Sequence, residues 1–229
     1  MLDQTVPYHV AIIPDGNRRW AHAHNLPTFE GHRRGYDRAN ELVHTGHLLG
    51  VSIMTLWAFS TENWQRAKDE VGYLMKLFEI MIEKNLQEAH EKKTRIIHLG
   101  RKDRLPESLG KQIVKAEEET KEYKEHYLCV GIDYGGEDEI IRAVKKASFT
   151  PGEWTREKLF QSLDTAALPQ QSVDLVVRTS GERRMSGFMP LQSAYAEYFF
   201  SETLFPDFNS GELKKAVEDY SLRKRRFGK

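Results

Sequence analysis

The stretch His9-Val10-Ala11-Ile12-Ile13-Pro14-Asp15-Gly16-Asn17-Arg18-Arg19-Trp20 runs from an apolar segment straight into an acid, a glycine, an amide and two guanidinium groups. Buried strands of parallel sheets end this way where their carboxyl ends open into a site. An acid able to hold a metal, beside arginines able to hold phosphate, points to chemistry on a phosphorylated substrate.

The pattern downstream alternates between strand and helix. Strands are expected at 10–13, 51–59, 94–99, 127–132, 173–177 and 197–200. Helices are expected at 34–49, 69–91, 107–124 and 137–147, with a short helix before the fifth strand and another at the end. The 69–91 helix carries an apolar stripe of Val71, Leu74, Met75, Phe78, Met81, Ile82 and Leu86. This order predicts an α/β fold, a mainly parallel six-stranded sheet covered by helices on both faces. With no repeat and no linker, residues 1–229 read as one domain.

Three strands end in polar clusters. The first supplies Asp15, Asn17 and Arg19; the second supplies Ser60-Thr61-Glu62-Asn63-Trp64-Gln65-Arg66; the fifth supplies Arg178-Thr179-Ser180-Gly181-Glu182-Arg183-Arg184-Met185-Ser186. In a parallel sheet these ends share one edge, so the clusters can converge. Taken singly, each has an ordinary explanation: Asp15-Gly16 as a turn, Arg178 and Arg184 as surface charges, His32 as a structural histidine. Together, Arg19, Arg66, Arg178 and Arg184 suit a diphosphate better than a monophosphate. Asp15 and Glu197 are hard oxygen donors suited to Mg²⁺.

Composition narrows the class. The 34 basic and 34 acidic residues cancel, so no global field draws the chain to nucleic acid or membrane. One cysteine, Cys129, excludes an intramolecular disulfide and fits a reducing compartment. No secretory h-region follows Met1 and no run approaches ~18 apolar residues, so a cytoplasmic location is expected, with at most transient membrane contact.

At these residues the chain resembles the cis-prenyltransferases, the undecaprenyl diphosphate synthase family. The matching segments are 9–20, Gly31-His32 with Gly35, 56–64 with Arg66, Glu70 and Val71, Tyr134-Gly135-Gly136, 174–184 with Ser186 and Phe188, 194–197, Pro206-Asp207-Phe208 and 225–228. They span nearly the whole chain in order. The resemblance implies a homodimer with an apolar tunnel behind the site. It implies Mg²⁺-dependent condensation of isopentenyl diphosphate with an allylic diphosphate, forming a cis double bond. Asp15 would be the central catalytic acid and a metal ligand, with Glu197 assisting the metal. Gly16, Asn17, Arg19 and Trp20 would bind the allylic diphosphate, with His32 beside it in a catalytic role. Phe59, Ser60, Trp64 and Arg66 would line the reaction centre, and Asn63 would help remove a proton. Arg178, Arg184 and Ser186 would hold isopentenyl diphosphate, and Arg226-Phe227-Gly228 would reach the partner subunit's site.

The chain departs from the family pattern at Thr28, where an arginine is usual, and at Ala67, where proline is common. Asp133 and Gly187 each stand where asparagine is common, and Met189-Pro190-Leu191 replaces an apolar pair plus tryptophan. The Phe188-x-Pro190-Leu191 form is similar to members that make short or irregular isoprenoids, including lavandulyl-type synthases. Unlike those, this chain keeps Glu182, His32 and Arg66. Ordinary elongation is therefore the leading expectation and irregular coupling the alternative. Retention of Asp15, Asn63 and Trp64 argues against a non-catalytic subunit.

Overall fold

The computed structural model describes residues 6–149 and 151–223. Six strands form one sheet: β1 (His9–Ile13), β2 (Ile53–Ser60), β3 (Thr94–Leu99), β4 (His126–Tyr134), β5 (Leu175–Arg178) and β6 (Glu197–Phe200). Their order is β3-β4-β2-β1-β5-β6 and every pairing is parallel. The expected mainly parallel sheet is thus wholly parallel.

All five residues of β1 are buried, as a strand covered on both faces must be. Alternation along it divides the core. Val10 and Ile12 pack with Leu42, Leu56, Val177, Phe208 and Leu213 on one face. Ala11 and Ile13 pack with Ile53, Cys129, Val176 and Phe188 on the other. Each fully buried aliphatic side chain contributes about 1.5–3 kcal/mol.

Among the described residues seven helices flank the sheet: α1 (Asn17–Ala23), α2 (Thr28–Leu48), α3 (Lys68–Lys92), α4 (Glu107–Thr120), α5 (Gly136–Ser148), α6 (Arg156–Phe160) and α7 (Ser210–Leu222). The apolar stripe of α3 packs as expected: Leu74, Met75 and Phe78 meet Phe59, Leu109 and Ile132. Two departures touch the site. Residues 17–23 form a helix where no element was expected, and α2 starts six residues before the expected Arg34. Gly31 explains how the two helices coexist: a Cβ there would stand 2.2 Å from the Asn17 carbonyl oxygen. Only glycine lets the backbones approach so closely.

The position of the site follows from topology. The chain leaves β1 for β2 on one side, while β5 pairs with β1 on the other. The carboxyl ends of β1 and β5 therefore flank a switch point, where open α/β sheets bind ligands. No helix of the described residues is long and apolar enough to cross a membrane. The Arg226-Phe227-Gly228 segment lies outside the described residues.

Candidate active site at the carboxyl edge of the sheet

Asp15 and Arg178 meet at the switch point. Ile13 is level with Arg178 in the β1–β5 register, so Asp15 follows two residues past the end of β1, within reach of the Arg178 side chain. Arg178 donates to Asp15 Oδ2 from Nε at 2.9 Å and from Nη2 at 2.7 Å. Its Nη1 donates to Ser186 Oγ at 3.0 Å and to the Arg184 carbonyl. The Asp15 carbonyl accepts from Thr179 Oγ1 at 2.7 Å, tying the two loops together. Gly16 then turns the chain into α1 at φ 110°, a left-handed conformation that suits glycine.

Arg19 reaches across from α1. It donates to the Ser180 carbonyl at 3.2 Å and to the Ser180 hydroxyl, and pairs with Glu182 at 3.3 Å. Glu182 also accepts from Arg184, a bond that holds its carboxyl below the ordinary range.

The segment after β2 is a 3₁₀ turn, Thr61–Gln65, closed by a reciprocal cap. Ser60 N–H donates to Asn63 Oδ1 at 3.1 Å, which fixes the Asn63 amide. Beyond the turn, Glu70 gathers cations in the first turn of α3. Its Oε1 accepts from Arg66 Nη1 at 3.1 Å and lies 3.0 Å from His32 Nε2, with Arg18 at 4.0 Å from Oε2. Burial lowers the His32 pKa from its usual 6.5, and Glu70 offsets only part of that. The neutral imidazole donates Nε2–H to the carboxylate, which leaves Nδ1 as the basic nitrogen.

These groups surround one cleft of about 720 Å³. Asp15, Gly16, Asn17, Arg19, His32, Ser60, Asn63, Arg66, Arg178 and Ser186 all line it, together with Trp57, Glu62 and Glu182. A second, narrower pocket of about 90 Å³ lies between α2, α3 and strands β2 and β4. Its middle is apolar, with Ala39, Leu56, Leu77, Phe78 and Leu128 among its walls. The two spaces share Pro14, Asn17, His32, Ala58 and Leu74.

Other expected residues lie elsewhere. Trp20 is buried on the inner side of α1, stacked on His24 at 4.2 Å, and does not line the cleft. Phe59 and Trp64 pack edge to face at 5.1 Å in the core under α3 and do not line the cleft. Arg184 does not line the cleft; its side chain is mostly exposed and pairs with Glu182, which does. Glu197 is the clearest correction. It is the first residue of β6, level with Leu175 at the amino end of β5, and its carboxylate accepts from Arg223 at 2.8 Å. Strand direction places it at the opposite edge of the sheet from Asp15. Glu70 plays no part in the assignments drawn from motifs. Its i, i+4 spacing from Arg66 was the available signal.

The donor set fits a magnesium ion only in company. Among the described residues no group of three His, Cys, Asp or Glu side chains could hold a metal. Asp15 Oδ2 is committed to Arg178, while no hydrogen bond reaches Oδ1 among the described residues. Mg²⁺ is commonly bound through one or two carboxylates completed by substrate phosphates and water. Asp15 suits that arrangement, and Glu197 of the same chain does not reach it.

Relatives match nearly the whole length of the chain. The chain is 44% identical over 225 residues to the isoprenyl transferase of Aquifex pyrophilus, covering 98% of this chain and 96% of that one. It is 42% identical to the isoprenyl transferase of Thermotoga maritima over 228 residues, covering 97% of each. Lavandulyl diphosphate synthase from Lavandula x intermedia, solved with dimethylallyl diphosphate, superposes with TM-score 0.94 at 32% identity, covering 99% of this chain and 100% of the other. A probable undecaprenyl diphosphate synthase from Campylobacter jejuni superposes with TM-score 0.82 at 34% identity, covering 97% and 99%. The undecaprenyl diphosphate synthase family matches residues 13–228, and with the parallel sheet and its arginine-lined edge this establishes that the chain belongs to that family of prenyltransferase enzymes.

Proposed function

We propose that the enzyme condenses isopentenyl diphosphate with an allylic diphosphate to give a cis-polyprenyl diphosphate, with Mg²⁺ bound at Asp15. The observation that carries this reading is the pairing of Arg178 with both Asp15 and Ser186 in a cleft that shares walls with an apolar pocket. When bound, the ion neutralises diphosphate charge and eases departure of the leaving group.

The chain's own residues supply the rest. Arg19 and Asn17, at the start of α1, hold the allylic diphosphate, and Arg66 adds a further cation. Arg178 and Ser186 hold the diphosphate of isopentenyl diphosphate, so the two substrates are anchored side by side. Cleavage of the allylic C–O bond leaves an electron-poor carbon that the π bond of isopentenyl diphosphate attacks. Loss of one proton to the departing diphosphate then forms the new double bond. Asn63, with Oδ1 fixed by Ser60 N–H, presents its amide N–H groups and steers the proton acceptor. Trp57, Ala58 and Leu74 keep that carbon away from water. The growing chain enters the apolar pocket, which widens into a tunnel as α2 and α3 part.

Two further parts of the reading are a cytoplasmic homodimer and brief membrane contact through the product. A second reading is irregular coupling of two allylic units, favoured by the TM-score of 0.94 to the lavandulyl enzyme. Mass analysis of products decides between them. Regular condensation requires isopentenyl diphosphate with geranyl or farnesyl diphosphate and stops when magnesium is chelated. Product from dimethylallyl diphosphate alone establishes the irregular route, and no product from any pair overturns both.

A further inference from the structure

We propose that Asp133 and Arg104 together are positioning residues for the cleft, acting through the Trp64 indole on the turn that carries Asn63 and Arg66. The kinetic part of this inference rests on the prenyltransferase reading of the cleft; the geometric part does not.

Asp133 lies near the end of β4, fully buried, with φ at 54°, a backbone conformation unusual for a residue with a side chain. Its carboxylate has three donors. Oδ1 accepts from Trp64 Nε1 at 2.8 Å and from Arg104 Nη2, and Oδ2 accepts from Arg104 Nε at 2.7 Å. Arg104 comes from the β3–α4 connection, so the carboxylate joins three separate segments of chain. None of Asp133, Arg104 and Trp64 lines the cleft.

The indole is the link. Trp64 follows Asn63 in the 3₁₀ turn, and Arg66 N–H donates to the Asn63 carbonyl at 3.1 Å. Trp64 also meets Phe59 edge to face at 5.1 Å, and Phe59 meets Phe78 at 6.2 Å. Ring packing alone would let the indole slide along these apolar faces. One directional bond from Nε1 to a fixed oxygen sets its depth and rotation, and with it the height at which Asn63 and Arg66 enter the cleft.

The choice of an acid is informative. Burying an ion pair rarely stabilises a fold more than an apolar substitute would. An asparagine at this position would still accept the indole N–H without needing a cation. Here the carboxylate obliges Arg104 to be present and fixes the oxygen from the side opposite the indole. The fork of Arg104 thus holds the acceptor, the acceptor holds Trp64, and Trp64 holds the turn.

The test uses the full-length protein with ¹⁵N-labelled tryptophan. The Trp64 indole signal is assigned by its absence in Trp64→Phe. Its position is compared in Asp133→Asn, Arg104→Met and Asp133→Leu, alongside kcat and KM for each diphosphate. Asp133→Asn is expected to keep the indole signal near its wild-type position and kcat within about threefold. Arg104→Met should shift and broaden the signal, lower kcat about tenfold and raise the allylic KM, because Arg66 moves with the turn, with the KM for isopentenyl diphosphate within twofold. Asp133→Leu should move the signal to that of a solvent-bonded indole and lower kcat at least thirtyfold. Should Asp133→Leu fail to fold, Arg104→Met and Asp133→Asn decide the matter. An unmoved indole signal in Arg104→Met, or lost thermal stability with kcat per folded molecule unchanged, overturns the proposal. If the wild type turns over no isoprenoid pair while the indole signals move as stated, the functional reading fails and the positioning geometry stands.

Discussion

Arg178 grips Asp15 through a single oxygen: Nε and Nη2 both donate to Oδ2, at 2.9 and 2.7 Å. The grip is one-sided, and no hydrogen bond reaches Oδ1 among the described residues. The carboxylate is oriented by one face and available on the other, an arrangement an oxygen-seeking cation can use. The guanidinium, only 4% exposed, still spares Nη1 for Ser186 and the Arg184 carbonyl.

Asp15→Asn keeps an acceptor for Arg178 and removes the charge. Turnover is expected to fall by at least ~100-fold, the scale seen when one preorganised electrostatic group is lost. Calorimetry should show the fold retained. Wild-type turnover in this variant would remove Asp15 from the chemistry.

Arg178→Lys keeps a cation but cannot bond Asp15 twice and Ser186 as well. The KM for isopentenyl diphosphate should rise ~10-fold or more, while that for the allylic diphosphate stays within about threefold. Steady-state kinetics with each substrate varied in turn would show it. A change confined to the allylic KM would reverse the assignment of the two anion sites.

Burial lowers the His32 pKa, so the imidazole is neutral at pH 7 and gains its proton only below its usual 6.5. Activity should hold from neutral pH down toward that range and then fall as Nδ1 is protonated. His32→Gln should remove this acid limb from the pH profile of kcat. An unchanged limb would place the titration on another group.

Stability should follow a separate pH dependence. His9 and His98 are deeply buried, and desolvation pushes each down to about 4. Between pH 6.5 and 4 the unfolded chain binds protons that the folded chain does not, so stability increases with pH across this window. It is fully present above 6.5 and is lost on acidification toward 4, by a few kcal/mol per group. Urea titrations at several pH values should show this slope, and His98→Gln should flatten it.

Gly31→Ala tests the crossing of α1 and α2. The added methyl would stand 2.2 Å from the Asn17 carbonyl oxygen, so α1 must move. A stability loss of about 1–3 kcal/mol is expected. The KM for the allylic diphosphate should rise with it, because Asn17 and Arg19 both ride on α1. Unchanged kinetics would show that α1 tolerates displacement.

Much of this edge was legible from residue pattern alone. Thr94–Leu99 and Glu197–Phe200 fall on the expected strand bounds, because β-branched or aromatic runs flanked by charge carry their own punctuation. The Asp15, Ser60 and Arg178 clusters meet because parallel strands deliver their ends to one side. What escaped depended on direction and register. α1 hides among Asn17, Arg18 and Arg19, since only Trp20 and Ala21 are buried and no apolar period develops. Glu197 looks like a metal ligand until strand polarity sends it to the other edge. Trp64 reads as a wall residue until its indole nitrogen is found on Asp133.

The shared border of Pro14, Asn17, His32, Ala58 and Leu74 has a corollary for traffic through the molecule. Whatever leaves the polar chamber for the oily one must brush past an amide and an imidazole at the threshold. A change of shape at Leu74 is therefore felt on both sides of the doorway at once.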